Sequence, residues 1–337
     1  MSKRFFRKAG LALLGATTLS LAACGGNPDS GSGGGSGEET GSGSSGGTRT
    51  LEHAMGTAEV PENPERVVVL DTGELDSAVS LGVTPVGAVE AVAGQGLPGY
   101  LEGTDEIELV GTIEEPNLET ISTLEPDLIL SSSLRHEAIY DQLSQIAPTV
   151  FTEETGVTWR ENFDKHAEAL NREAEAEQVV SDYESRIEDF RNATGDTPPT
   201  VSVVRFTPGD TRIYQKESFI GTILDDAGLP RPEAQDVEDF ALLNVTAEAI
   251  PDMAGDVIYT TVYDREADTA KADITSDPLW QNLEAVQNDR VYEVSDDLWM
   301  LGIGYTAAQG VLSDLEETIT DGSGSTTMET TMMETTG

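Results

Sequence analysis

Arg205 and Arg212 are the residues of this chain best placed to do chemistry. The strand-like run Val201-Ser202-Val203-Val204 ends in Arg205-Phe206, and Arg212 and Tyr214 follow a Pro208-Gly209 turn. A guanidinium offers a planar fork of donors to oxygen anions, and aromatic rings offer an apolar wall. Ligands of parallel sheets sit beyond the carboxyl ends of strands. Arg205, Phe206, Arg212 and Tyr214 are therefore candidates for holding a small ligand. Either arginine could instead form a surface ion pair with one of the abundant carboxylates. In the first half, Ser131-Ser132-Ser133-Leu134-Arg135-His136 follows another apolar run and opens a helix. Backbone N–H groups there favour an anion, and Arg135 adds charge. Thr72 and Glu74 follow a strand ending near Leu70, and Tyr263 follows Val257-Ile258-Tyr259.

Enzymatic constellations are missing. There is no Gly-x-Ser-x-Gly elbow between a strand and a helix, no Walker lysine motif and no His-Glu-x-x-His. The glycines around Gly94 and Gly96 match no dinucleotide fingerprint. Only His53, His136 and His166 exist, at scattered positions, so no direct metal site and no resident cofactor are expected. His136 could be a ligand or, beside an arginine, simply solvated.

The elements that would position these residues read as alternating strands and helices, the signature of a mostly parallel sheet. Arg66 to Leu70, Val86 to Val89 and Asp127 to Ser131 are expected strands. Glu74 to Leu81 and Arg135 to Ile146 are expected helices, and Asn117 is a suitable N-cap for a third. One pattern occurs twice: Glu119, Ile121, Leu124 and Asp127 recur as Glu248, Ile250, Met253 and Asp256, each followed by an apolar strand. Trp159 to Arg191 has apolar residues at three-to-five-residue steps without Pro or Gly, which predicts one helix of about 50 Å acting as a strut. The fold class expected is α/β, with two Rossmann-like lobes, mostly parallel sheets, one long joining helix and a ligand cleft between lobes. The boundaries are 51–158 for the first lobe, 159–193 for the helix and 194–320 for the second lobe.

The ends read differently. Residues 1–23 combine a basic start (Lys3, Arg4, Arg7, Lys8) with an apolar run too short to span a bilayer, the pattern of an export signal. It ends in Leu21-Ala22-Ala23-Cys24, and Cys24 is the only cysteine. Residues 24–50 form a Gly/Ser tether, and 321–337 read as a disordered tail. Without the signal, 15 basic side chains face 62 acidic ones. Such a surface repels nucleic acid and anionic lipid and stays soluble in concentrated salt.

Several stretches taken together resemble the substrate-binding lipoproteins of ABC importers for ferric siderophores, with their cobalamin- and haem-binding relatives. They include His53-Ala54-Met55-Gly56-Thr57, Pro64-Glu65-Arg66-Val67-Val68-Val69-Leu70, Leu81-Gly82-Val83-Thr84-Pro85-Val86-Gly87, Val110-Gly111-Thr112 with Glu115-Pro116-Asn117-Leu118-Glu119, Pro126-Asp127-Leu128-Ile129, Asp277-Pro278-Leu279-Trp280 and Arg290-Val291-Tyr292. The resemblance covers about residues 51 to 320, and its strength lies in order and spacing.

The resemblance implies an exported monomer, lipidated on Cys24, that passes a ferric siderophore to a membrane permease. Cobalamin, haem or a surface-anchored interaction role remain the alternatives. It implies permease docking for Glu119 and Glu248, which otherwise are ordinary first-turn glutamates favoured by the helix dipole. It also implies that the loop holding Trp299 faces the cleft, so Trp299 is either cleft wall or core. The chain's acidity predicts weaker capture of anionic ligands in dilute buffer than in strong salt.

Overall fold

Val67-Val68-Val69 and Leu128-Ile129-Leu130 are apolar at every position, and strands of that kind are covered on both faces. In the computed structural model, which describes residues 47–320, all six are fully buried at the centre of one lobe. The export signal, Cys24, most of the tether and the 321–337 tail lie outside the described residues.

The described chain opens with an antiparallel hairpin, β1 (Thr48–His53) and β2 (Gly56–Pro61). The hairpin corrects the tether boundary: residues 48–50 are strand, because period-two spacing turns Leu51 and Val60 into the core at 1% and 0% exposure. The first lobe then follows with β3 (Val67–Val69), β4 (Gly87–Glu90), β5 (Glu108–Thr112), β6 (Leu128–Ser132) and β7 (Thr149–Thr152). Their order is β5-β4-β3-β6-β7, all parallel. The second lobe holds β8 (Val201–Thr207), β9 (Asp210–Tyr214), β10 (Ala241–Leu242), β11 (Val257–Val262) and β12 (Val291–Glu293). Its order is β10-β9-β8-β11-β12; β8, β11 and β12 run parallel, while β9 and β10 are antiparallel to their neighbours.

The repeated sequence pattern has one structural job in both lobes. The Asp127 carboxylate accepts the N–H groups of Glu65 and Arg66, just before β3. The Asp256 carboxylate accepts the N–H and hydroxyl of Thr200, just before β8. Each aspartate therefore clamps the strand next to its own, setting the register of the two central strands. Ile121 and Ile250, from the same repeat, are 0% exposed beneath them.

Helices α1 (Thr72–Ser80), α2 (Leu118–Thr123), α3 (Trp159–Leu170), α4 (Glu173–Thr194), α5 (Phe219–Asp226) and α6 (Tyr305–Leu315) cover the sheets. The single helix expected over Trp159 to Arg191 is broken. Asn171 takes the left-handed conformation (φ 56) and caps α3, a geometry asparagine tolerates better than most residues. The 22-residue α4 remains the long helix, about 33 Å by rise per residue. The helix expected over Arg135 to Ile146 is also interrupted, as short turns at Ser133–His136, Glu137–Ile139 and Tyr140–Leu143. His136 leaves helical geometry (φ −131) where its ring is held by Ser131 and the Ile113 carbonyl.

The base between the lobes is aromatic. Tyr305 packs edge-on against Phe163, Trp159 and Tyr183 at centroid distances of 4.6, 4.7 and 5.4 Å. Trp159 also meets Phe219 at 5.4 Å and donates its indole N–H to Thr222. Beside them, the buried Asp76 carboxylate accepts the N–H groups of Thr306 and Ala307 at the start of α6. A carboxylate suits that positive helix end. Burial raises the Asp76 pKa to about 6, with these hydrogen bonds working the other way.

Candidate functional site

Each sheet has one switch point, where the chain leaves a central strand to one side and later returns on the other. These points lie beyond the carboxyl ends of β3 and β6 in the first lobe and of β8 and β11 in the second. Crevices at such positions are where open α/β sheets take ligands. Here the two crevices share one cleft of about 840 Å³, within the range of small-molecule sites.

A charged contact bridges each switch point. In the first lobe, Arg135 after β6 donates through Nε to the Asp71 carboxylate after β3, at 2.8 Å. In the second, the Arg205 guanidinium of β8 lies 4.9 Å over the ring of Tyr263, which follows β11. Asp71 is held in turn by the Thr72 N–H at 2.7 Å, as the N-cap of α1.

Arg135, Arg205, Arg212, Tyr214, Tyr263 and Thr72 all line the cleft. Their bonding sorts them. Arg205 is bound at two points by Asp296, at 2.8 and 2.6 Å, and donates to the Tyr214 hydroxyl at 3.2 Å. Burial works against its charge, but Tyr214 and Asp296 hold its pKa above the ordinary value. Arg212 donates through Nε to Asp210 at 2.6 Å. Arg135 and Arg212, one from each lobe, thus keep both terminal nitrogens without a well-formed bond among the described residues. Thr72 is 1% exposed and donates its hydroxyl to the Leu301 carbonyl at 2.5 Å, tying the first lobe to the loop before α6.

Phe206, expected in the cleft, is core, and Trp299, left open between cleft wall and core, is buried while still bordering the cleft. Phe206 is 0% exposed and packs with Val204 and Ile213, because the alternation along β8 turns it to the face opposite Arg205. Trp299 is also 0% exposed; it lies beneath the cleft floor, donates to Asp314 at 2.7 Å and stacks near Tyr259 at 4.5 Å. His136 is buried rather than solvated, with Nδ1 2.7 Å from Ser131 Oγ and Nε2 2.7 Å from the Ile113 carbonyl. Burial lowers its pKa.

The cleft includes residues that sequence reasoning passed over. Asp71 and Asp296 orient the arginines; Asp71 was visible at the end of the first strand, and Asp296 stood three positions from Trp299. Leu134, Val157 and Phe240 are apolar wall residues at 61%, 38% and 45% exposure. Glu114, Glu154 and Glu217 add carboxylates. Just below Asp71 lies a water-sized cavity lined by Glu74, Ser77, Asn162 and His166. His166 Nδ1 bonds to Ser77 Oγ at 2.9 Å, while its buried Nε2 has no hydrogen-bond partner among the described residues and stands 4.0 Å from Glu74. Burial, then the nearby Asp71, raises the Glu74 pKa to about 8, and burial lowers that of His166 to about 3.

Glu119 and Glu248 are both exposed at the first turn of a short helix. Asn117 caps the first, accepting from the N–H groups of Glu119 and Thr120. Thr246 donates its hydroxyl to Glu248 at 2.8 Å in the second. Among the described residues no group of His, Cys, Asp and Glu converges as metal ligands, and no helix is long and apolar enough to cross a membrane.

Comparison with known proteins gives a consistent picture. The chain is 41% identical to the probable siderophore-binding lipoprotein YfiY of Bacillus subtilis, over 80% of this chain and 87% of that protein. It is 31% identical to the achromobactin-binding periplasmic protein of Dickeya dadantii, over 75% and 85% respectively. The crystal structure of Staphylococcus aureus SirA complexed with staphyloferrin B superposes with a TM-score of 0.73 at 36% identity, covering 80% of this chain and 98% of that one. A family model described as periplasmic binding protein matches residues 67–298. Two α/β lobes with facing switch points, and these matches over most of the sequence, establish that the chain belongs to the periplasmic binding protein family.

Proposed function

We propose that this protein captures a ferric siderophore outside the cell membrane and delivers it to an ABC-type importer for iron uptake. One observation carries the reading: Arg135 and Arg212 extend incompletely bonded terminal nitrogens into one cleft from opposite lobes. Paired guanidinium forks suit the ring of oxygens around a chelated ferric ion, and lobes on either side enclose it. Relatives whose names specify siderophore, achromobactin or ferric-citrate binding support the ligand class. Fe(III) enters as cargo within the chelate and not as a resident cofactor.

The aromatic base beneath the cleft favours a small closing motion, because packed rings deform little. Glu119 and Glu248 are the proposed contacts to permease arginines. Cys24 is the proposed lipid anchor holding the protein, as a monomer, to the outer face of the membrane. The test is tryptophan fluorescence against ferric hydroxamates, catecholates and citrate, with corrinoid and haem in parallel. Saturable quenching by a ferric chelate supports the reading; tight binding of corrinoid or haem alone overturns it.

A further inference from the structure

Every arginine on the cleft wall arrives with a carboxylate attached. Asp71 holds Arg135, Asp296 holds Arg205 and Asp210 holds Arg212. Beyond these pairs stand Glu114, Glu154 and Glu217, exposed on the wall and without an ion-pair partner among the described residues. No lysine lines the cleft. Three guanidinium groups therefore share the wall with four carboxylates, Asp71, Glu114, Glu154 and Glu217, and two of the guanidinium groups are paired further with Asp296 and Asp210.

We propose that the cleft selects a ferric chelate carrying a cationic ammonium group over a multiply negative one. This rests on the reading of the cleft as a siderophore site. The arginine pair meets the chelate oxygens, and the free glutamates meet the ammonium. A trianionic chelate brings like charge against Glu114, Glu154 and Glu217, and juxtaposed like charges are a standard means of rejecting a wrong partner. The overall acidity of the chain is a separate effect. A distant field is screened within roughly 3 Å at 1 M salt, whereas a contact pair inside a cleft is screened much less.

Two chelates of one shape separate these effects: ferrioxamine B, with one free ammonium, and its N-acetylated form, which lacks that charge. Binding to the mature protein is measured by tryptophan fluorescence in 0.1 M and 2 M KCl, with a ferric tris-catecholate trianion as third probe. The amine form is expected to bind about tenfold tighter than the acetylated form, with most of the difference surviving in 2 M KCl. The E114Q/E154Q/E217Q variant, checked for unchanged thermal melting, is expected to lose that difference. Equal or tighter binding of the acetylated or trianionic probe overturns the proposal. So does a preference that persists in the triple variant, since the general field then explains it. If none of these chelates binds, the siderophore reading falls and the charge selection with it.

Discussion

Asp296 grips Arg205 at two points, with both side chains only 9% exposed, across 91 residues of sequence. The pair fixes the guanidinium over Tyr263 and against the Tyr214 hydroxyl, so one carboxylate organises a whole wall of the cleft. Removing one partner of a buried pair leaves an uncompensated charge. Asp296→Ala is expected to cost about 3–5 kcal/mol of stability, read as a lower denaturant midpoint. Replacing both residues by leucine should recover most of that loss, because the buried charge is gone.

Arg135 and Arg212 behave differently, since among the described residues each is anchored to its carboxylate through Nε alone, with Tyr214 as a further neighbour of Arg212. Arg212→Ala should leave thermal melting within a few degrees of the parent, whereas Arg135→Ala, which leaves the 2%-exposed Asp71 without its cation, should lower it. Each should weaken ferric-chelate binding by about 10- to 100-fold, the scale of a lost charge-assisted hydrogen bond. Lysine should restore little of it, because an ammonium has no planar fork. Melting that collapses in the Arg212 variant would show that arginine to be structural.

Two buried titrating groups give stability opposing pH slopes. Glu74 ionises near 4.5 in the unfolded chain and near 8 when folded, so its contribution falls as pH rises between those values. His166 has the reverse sign: its folded pKa of about 3 lies below the ordinary 6.5, so stability is lost as pH falls from 6.5 toward 3. Glu74→Gln should therefore stabilise the protein more at pH 8 than at pH 5. Urea unfolding of both proteins at those two pH values checks the sign.

Glu119 and Glu248 are exposed and are not among the residues lining the cleft. Reversing both charges to arginine should abolish uptake by cells while leaving chelate affinity within about twofold, as surface changes usually do. Lost affinity with normal uptake would contradict the docking role.

Much of the architecture was legible in the residues. Runs such as Val67-Val68-Val69 could satisfy their apolar sides only inside a covered sheet, and the Glu-x-Ile repeat announced two related lobes. Strand ends also pointed to Arg135, Arg205 and Arg212, because ligand sites in such sheets follow topology. The misses have local physical causes. The hairpin at Thr48–Pro61 lacks a strong turn signal, and the break at Asn171 needs neither glycine nor proline. Phe206 was placed by residue type, whereas β8 alternation turned its ring inward; for Trp299 the sequence left wall and core open, and the Asp314 bond holds the ring buried at the cleft's edge.

The amino-acid sequence alone determined the α/β class, the doubled lobe and the supply of few, conspicuous cations among many acids, since periodicity and composition are local properties. Only the tertiary structure decided which carboxylate meets which arginine. Asp71 and Arg135 are 64 residues apart, and Arg205 and Asp296 are 91 apart. Such pairings arise when parallel strands bring distant loops to one sheet end, and no short-range pattern encodes them. For the same reason, the balance of charge inside the cleft, as distinct from the chain's total, exists only in three dimensions.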